Sequence, residues 1–257
     1  IGEGIKDLIQ PNTKIIFTEA PGSLTFEVQD IPAITKVAKA NEIITLMDNS
    51  WATPLFFNPF EHGIDIAIQA GTKYINGHSD VLMGVVTCND EFLFGKLIST
   101  YRHYGACPSP DDCYLAARGL RTLSVRLKQH EQNALALAKW LQKNKHVTKI
   151  LHPAFEDCPG HDVWKRDFKG STGLFSIVLD RHYNESEVSA FINGLDYFGI
   201  GASWGGYESL LIHITPSYVR SATKWPEPNT VLRLYVGLED VEDLKTDLEK
   251  ALKRIAK

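Results

Sequence analysis

An α/β fold is predicted, with a large, mostly parallel-sheet unit first and a smaller C-terminal α/β unit behind it. Three observations predict it. Short apolar runs alternate with helical patterns before residue 130, the signature of βαβ units and a parallel sheet. An amphipathic stretch from Leu115 to Leu141 then separates that series from a second set of strands and helices. The chain of 257 residues is 44% hydrophobic, ample material for a large core. The division expected is 1–130 for the large unit and 131–257 for the small one, joined by a helix of about 115–143.

The elements follow in order. Lys14 to Phe17, Ile43 to Met47, Ile64 to Ile68 and Leu82 to Thr87 read as strands, and Ile31 to Ala40 as the first helix. Leu120, Leu123, Leu127, Leu135, Ala138 and Leu141 fall near helical spacing, so the joining helix is long, with an interruption somewhere along it. Beyond it come strands at Val147 to Leu151, Gly173 to Leu179 and Leu232 to Val236, and a helix from Ser186. The last helix opens with Glu239 and Asp240 and closes with Lys253, Arg254 and Lys257, which complements the helix dipole. Leu244, Leu248, Leu252 and Ile255 make its buried stripe. Neither an internal repeat nor a low-complexity segment interrupts the series.

Composition narrows the class. A net charge of −4 makes no electrostatic case for nucleic acid or an anionic membrane. No apolar run approaches the roughly 18 residues of a membrane span, and no signal peptide is expected ahead of Ile1. The four cysteines (Cys88, Cys107, Cys113 and Cys158) form no CxxC pair and read as reduced, cytoplasmic thiols.

The chemistry concentrates between Ile43 and Gly84. Asp48 ends one apolar run, and the next, Ile64 to Ile68, delivers Thr72 and Lys73 onto a polar turn. Taken singly these residues say little: a lysine is ordinarily a solvated charge and an aspartate after a strand a turn former. Together, on successive strand ends, they lie where open α/β sheets hold ligands. An amine beside a hydroxyl, with an acid on the neighbouring strand end, is what a pyridoxal phosphate site requires. The amine joins the cofactor's carbonyl carbon, the acid keeps the pyridine nitrogen protonated and the hydroxyl grips the phosphate.

Other segments stay open on residues alone. Gly199 to Ile212 (GIGASWGGYESLLI) reads as a glycine-rich loop, and Trp204 stands where a dinucleotide fingerprint needs its third glycine. Arg233 interrupts the run Val231 to Val236; it either faces solvent or meets an anion in a cleft, where its fork suits a carboxylate. His152, Cys158 and His161 have intervals a zinc site could use, but Pro153 and the Cys-Pro-Gly turn read as a surface loop without a fourth ligand. No metal is expected. His78 reads as a group orienting the lysine turn by hydrogen bonding, and Cys88 as a small buried apolar residue.

The segment DNSWATPLFFNPFEHGIDIAIQAGTKYINGHSDVLMG resembles the cofactor segment of the cystathionine-metabolism family of pyridoxal phosphate enzymes. Its TKYINGHSD is a specific match. The resemblance continues through RGLRTLSVRLKQH, GHDVWKRDFKGSTGLFS, SWGGYESL and RLYVGLEDVEDL, so it spans nearly the whole chain. It implies a fold-type-I architecture, with Lys73 as the Schiff-base lysine, Asp48 on the pyridine nitrogen and Thr72 on the phosphate. Ala70 stands where relatives carry a serine, which removes one phosphate hydroxyl. Arg233 becomes the clamp for the substrate α-carboxylate, and Ser203 with the Trp204 backbone lies against that carboxylate and the Lys73 amine. Within the family, SWGGYES is similar to bacterial cystathionine β-lyases. Ser23 in EAPGS stands where many γ-class members place an asparagine.

The implied reaction is β-elimination of L-cystathionine to homocysteine, pyruvate and ammonia in methionine biosynthesis, in a cytoplasmic homo-oligomer of the family's tetrameric, dimer-based kind. A γ-synthase, γ-lyase or methionine γ-lyase is the alternative. The family's N-terminal arm, glycine-rich phosphate loop and ring-stacking tyrosine have no counterpart here, Ile1-Gly2-Glu3-Gly4 being too short. The expectation is therefore the C-terminal part of a longer enzyme, inactive as an isolated chain and weak for the cofactor.

Overall fold

The computed structural model describes residues 2–255; Ile1 of the Ile1-Gly2 run and Lys257 of the last helix lie outside them. Strands β1 (Ile15–Glu19), β2 (Ile44–Asp48) and β3 (Ile66–Ala70) run parallel, and β4 (Gly84–Cys88) closes the order β1-β2-β3-β4. β4 is antiparallel to β3, so the expected parallel series ends one strand early. The connection is the reason. The wide turn at Gly71–Ile75 and an irregular stretch take up residues 71–83, leaving no crossover helix to carry the chain back for a parallel pairing.

Helix α1 (Ile31–Ala40) starts at Asp30, whose carboxylate accepts from Ala33 N at 3.1 Å, and buries Ile31, Ile34 and Ala38 on the sheet. The short α2 (Thr53–Phe56) follows β2. Helix α3 (Glu91–Tyr104), capped by Asp90, was not foreseen, and none of its residues is buried. The long helix is broken as expected: α4 (Pro110–Leu120) ends, and α5 (Leu123–Leu141) starts after Arg121 and Thr122. α5 runs from one core into the other. Leu123 and Leu127 pack with the first sheet's core, and Ala134, Leu137, Ala138 and Leu141 with the second's.

The second sheet has the order β5-β6-β9-β8-β7, from β5 (Val147–Leu151), β6 (Leu174–Leu179), β7 (Gly199–Ile200), β8 (Leu210–Ile214) and β9 (Val231–Tyr235). Its pairs are antiparallel except β7 with β8. Helices α6 (His161–Asp167), α7 (Glu185–Ile192) and α8 (Val241–Ile255) complete the chain. The stripe Leu244, Leu248, Leu252 and Ile255 of α8 is buried as its spacing predicts. β7 and the start of β8 lie inside the segment read as a glycine-rich loop. Their apolar residues, Ile200 and Leu210 to Ile212, flank it too closely to be told from loop ends.

The stretch from His152 to His161 is not a surface loop throughout, since His152 and Cys158 are buried. The Cys158 thiol donates to Phe26 O at 3.4 Å and burial pushes its pKa up to about 12. His161 Nδ1 donates to Pro153 O at 2.8 Å. Among the described residues no group of three His, Cys, Asp or Glu side chains is arranged to hold a metal, and no helix is long and apolar enough to cross a membrane.

Candidate active site

The residues singled out in sequence meet where the two sheets join. Asp48 is the last residue of β2. Its carboxylate accepts from Ser50 N at 2.8 Å, while Ser50 Oγ accepts from Ala70 N at 2.6 Å and Gln69 Nε2 donates to Asn49 O at 2.8 Å. These bonds zip the ends of β2 and β3 together, so Asp48 stays beside the turn that carries Thr72 and Lys73.

That turn is wider than an α-helical one. Asn76 N donates to Gly71 O at 3.0 Å, five residues back, and Lys73 has ψ −124°, outside the helical range. Wide turns of this type recur at functional sites. The Lys73 amine is half-buried and donates to Ser203 Oγ at 2.8 Å; it lies 5.3 Å from the centre of the Trp204 ring. Its pKa is lowered from the ordinary lysine value, first by burial and then by the Arg233 charge. Both effects favour the neutral, nucleophilic amine.

Thr72 is less available than its position suggests. Its hydroxyl donates to Met83 O at 3.2 Å and accepts from Met83 N at 2.9 Å, so its one proton is engaged with the backbone. His78 is placed as its sequence position suggested, its Nδ1 donating to Asn76 O at 2.7 Å. Cys88 is half-buried at the end of β4 rather than buried.

Ser203 and Trp204 come from the second unit, on a loop pressed against the lysine turn. Gly205 makes this possible: at φ +88°, a Cβ there would lie 2.8 Å from the Lys73 backbone. The Trp204 ring packs on Tyr74 at 5.5 Å. Ser79 Oγ donates to Glu208 at 2.7 Å and ties the far end of the loop to the turn. Arg233, on the central strand β9, is only 9% exposed, which removes the solvent-facing alternative. Its Nη2 donates to Ala202 O at 2.6 Å, and among the described residues no carboxylate pairs with it. Burial lowers its pKa, and the rest of its fork can take an incoming carboxylate.

Several participants were not singled out in sequence. Glu19 ends β1 in register with Asp48, accepts from Ser23 Oγ at 2.8 Å, and has its pKa raised by burial against that bond, with the Asp48 charge adding to the rise. Ending a strand, as Asp48 does, was its available signal. Glu19 and Ser23 also line a cleft of about 640 Å³ shared with Thr25, Glu27 and Arg220. Beneath the lysine turn, the Tyr74 hydroxyl accepts from Gly173 N at 3.1 Å and the Tyr235 hydroxyl donates to Gly206 O at 2.7 Å. Nothing in their spacing marked these two tyrosines.

A half-buried amine of lowered pKa, an acid on the neighbouring strand end and a guanidinium without a carboxylate partner among the described residues thus gather where the two sheets join. The family model for Cys/Met metabolism PLP-dependent enzymes matches residues 1–253, and the chain belongs to that family. It is 48% identical over 254 residues to an L-alanine/L-glutamate racemase of Wolbachia pipientis wMel, covering 98% of this chain and 63% of that protein. It is 42% identical over 260 residues to the cystathionine beta-lyase MetC of Escherichia coli K12, covering 99% of this chain and 66% of that one. A cystathionine gamma synthase from Xanthomonas oryzae pv. oryzae, solved in complex with cystathionine, superposes with a TM-score of 0.85 at 35% identity, over 94% of this chain and 63% of that chain. The chain therefore spans 63% to 66% of the length of these proteins, and its α/β fold is that of the fold-type-I members.

Proposed function

We propose that this chain carries the lysine half of a pyridoxal phosphate site and that the protein catalyses β-elimination of L-cystathionine, with one water, to homocysteine, pyruvate and ammonia. The observation that carries it is the Lys73 amine, depressed in pKa, held on Ser203 Oγ and flanked by Trp204 and the Arg233 charge. The donors fit the ring of the cofactor: Lys73 for its carbonyl carbon and Asp48 for its nitrogen. Thr72 serves the phosphate once its hydroxyl turns away from Met83 O. When bound, pyridoxal phosphate supplies an electron sink for a negative charge at the substrate α-carbon.

The chain's own residues do the rest. Arg233 takes the α-carboxylate bidentately and orients the Cα–H bond toward Lys73. Lys73, whose pKa burial and the Arg233 charge lower, accepts the α-proton in its neutral form and can return it to the departing sulfur. Ser203 holds the amine between these tasks, and Trp204 screens it from water. SWGGYES and the E. coli relative support the β-lyase over a γ-synthase, γ-lyase or methionine γ-lyase. The racemase relative supports a second reading, in which Lys73 works on the same proton but no bond to sulfur breaks. Four free thiols fit a cytoplasmic setting, and the exposed Phe17, Leu82 and Phe92 fit burial in a homo-oligomer.

Borohydride reduction of the chain with excess pyridoxal phosphate, followed by peptide mapping, tests the site. A reduced adduct on Lys73 that is absent in Lys73→Arg is expected; labelling spread evenly over surface lysines would sink the assignment. Product analysis of the holoenzyme then decides the reaction: pyruvate for the β-lyase, 2-oxobutyrate for the γ-class, D-amino acid for the racemase.

A further inference from the structure

Among the described residues Arg126 is a buried cation without a carboxylate partner. It is 6% exposed, near the start of α5, and its Nη2 donates to Tyr74 O at 2.8 Å, Gly119 O at 2.9 Å and Ile75 O at 3.4 Å. Its Nε donates to Thr122 Oγ1 at 3.0 Å, and Nη1 is buried without a partner among the described residues. A guanidinium taken from water needs compensation. Here it comes from carbonyl dipoles at two helical ends, the last turn of α4 and the wide turn that carries Lys73.

The surroundings are shaped to it. Gly77 has φ +74°, and a Cβ there would lie 2.0 Å from Nη1. A Cβ on Gly119 would lie 2.1 Å from Asn76 O, so α4 and the turn abut with the guanidinium at their junction. The Tyr74 and Ile75 carbonyls, which a continuing helix would satisfy from its own amides, are instead satisfied by Arg126.

We propose that Arg126 is the positioning residue of Lys73: it locks the wide turn open at its exit and so aims the amine at Ser203. The inference rests on the reading of Lys73 as the reactive amine. With the guanidinium gone, two carbonyls lose their donor, and the turn can regain a regular helical ψ at Lys73. That would carry the amine away from Ser203 and into water. A lysine at 126 would keep the charge but not the fork that reaches three carbonyls from one side chain.

The test is a pH titration of reductively ¹³C-methylated lysines by NMR in the 257-residue chain, with Lys73→Arg identifying the Lys73 signal. In the unsubstituted chain Lys73 titrates below the other lysines. In Arg126→Lys its midpoint moves up as burial is relieved. Thr122→Val, at an exposed position that folding tolerates, removes the Nε acceptor and moves the midpoint the same way by less. A lowered melting temperature with the Lys73 midpoint unmoved in both variants would make Arg126 merely structural and overturn the proposal. The titration needs no cofactor. Failure of borohydride labelling at Lys73 would therefore count against the site's proposed use without touching this result.

Discussion

The four-stranded and five-stranded sheets are built from similarly apolar runs, yet only the second has strands sealed along their whole length. Every residue of β6 and β9 is buried, and Phe175, Ile177 and Leu234 are wholly so. In the first unit Phe17 of β1 is 63% exposed, Val86 of β4 lies open, and α3 buries nothing. Lys73 and Asp48, the proposed cofactor residues, belong to the open unit; Ser203, which accepts from the Lys73 amine, and Arg233, the proposed carboxylate clamp, belong to the sealed one. The site is thus a seam. The sealed sheet contributes rigidity, and the lysine's aim depends on how firmly the two units are joined.

Two histidines sit in that seam and offer the largest way to break it. His130 lies between Tyr74 and Tyr235 with Nδ1 on Val236 O at 2.9 Å, and burial, reinforced by the Arg126 charge, lowers its pKa to about 4. His152 lies between Trp51 and Phe175, and burial lowers its pKa to about 3. Both are neutral when folded and titrate normally when unfolded. The stability they hold is fully present above about pH 6.5 and is lost as pH falls toward 4 and 3, on the order of 3 kcal/mol for each ring by pH 4. Urea unfolding between pH 7 and pH 4 measures it. A stability unchanged across that window would show that the seam is wet.

A pair of phenylalanines tests the sealed-against-open contrast directly. Phe175→Ala should cost about 3–5 kcal/mol, the expense of a cavity in a closed core. Phe17→Ala should change the stability of this chain by no more than about 0.5 kcal/mol. Equal losses in chemical denaturation would mean that β1 is covered in solution.

How far the chain could be read from its residues follows the same divide. Apolar runs marked β1 to β3 and β6, and spacing marked α1, α5 and the buried stripe of α8, because burial on a sheet or helix face imposes a period. Helix α3 was missed because a helix that buries nothing leaves little periodicity. The antiparallel turn of β4 was missed because alternation with helices predicts parallel neighbours and says little about the last strand. Lys73, Asp48 and Arg233 could be singled out because each is a charge that follows, ends or interrupts an apolar run; their use in a cofactor site is the proposal. Arg126, His130 and Tyr74 were not, since their partners lie 52 to 106 residues away: Arg126 reaches Tyr74, His130 reaches Val236, and Tyr74 reaches Gly173.

Loop docking is the next smaller lever. Gly205→Ala places a methyl against the Lys73 backbone at a φ that L-residues resist, with an expected cost of about 1–3 kcal/mol. The sharper readout is the amine. Lifting Ser203 and Trp204 off the turn should raise the Lys73 titration midpoint, while Gly201→Ala, at the other end of the loop, should leave it near its original value. An unmoved midpoint in Gly205→Ala would show that the loop does not set the lysine's environment.

The smallest effect measures the join itself. Ser79 has φ +61°, a left-handed conformation that costs a non-glycine residue energy, and its hydroxyl donates to both Glu208 oxygens at 2.7 and 2.8 Å. Ser79→Ala keeps the strain and loses the bond, for a loss of about 1 kcal/mol. Ser79→Gly loses the same bond but relaxes the backbone, so it should be the more stable of the two by roughly 0.5–1 kcal/mol. If the two variants melt together, the hydrogen bond and not the backbone governs this contact. If Ser79→Ala melts with the unsubstituted chain, Ser79 and Glu208 contribute nothing to holding the units together, and the seam depends on the glycine loop and the buried histidines.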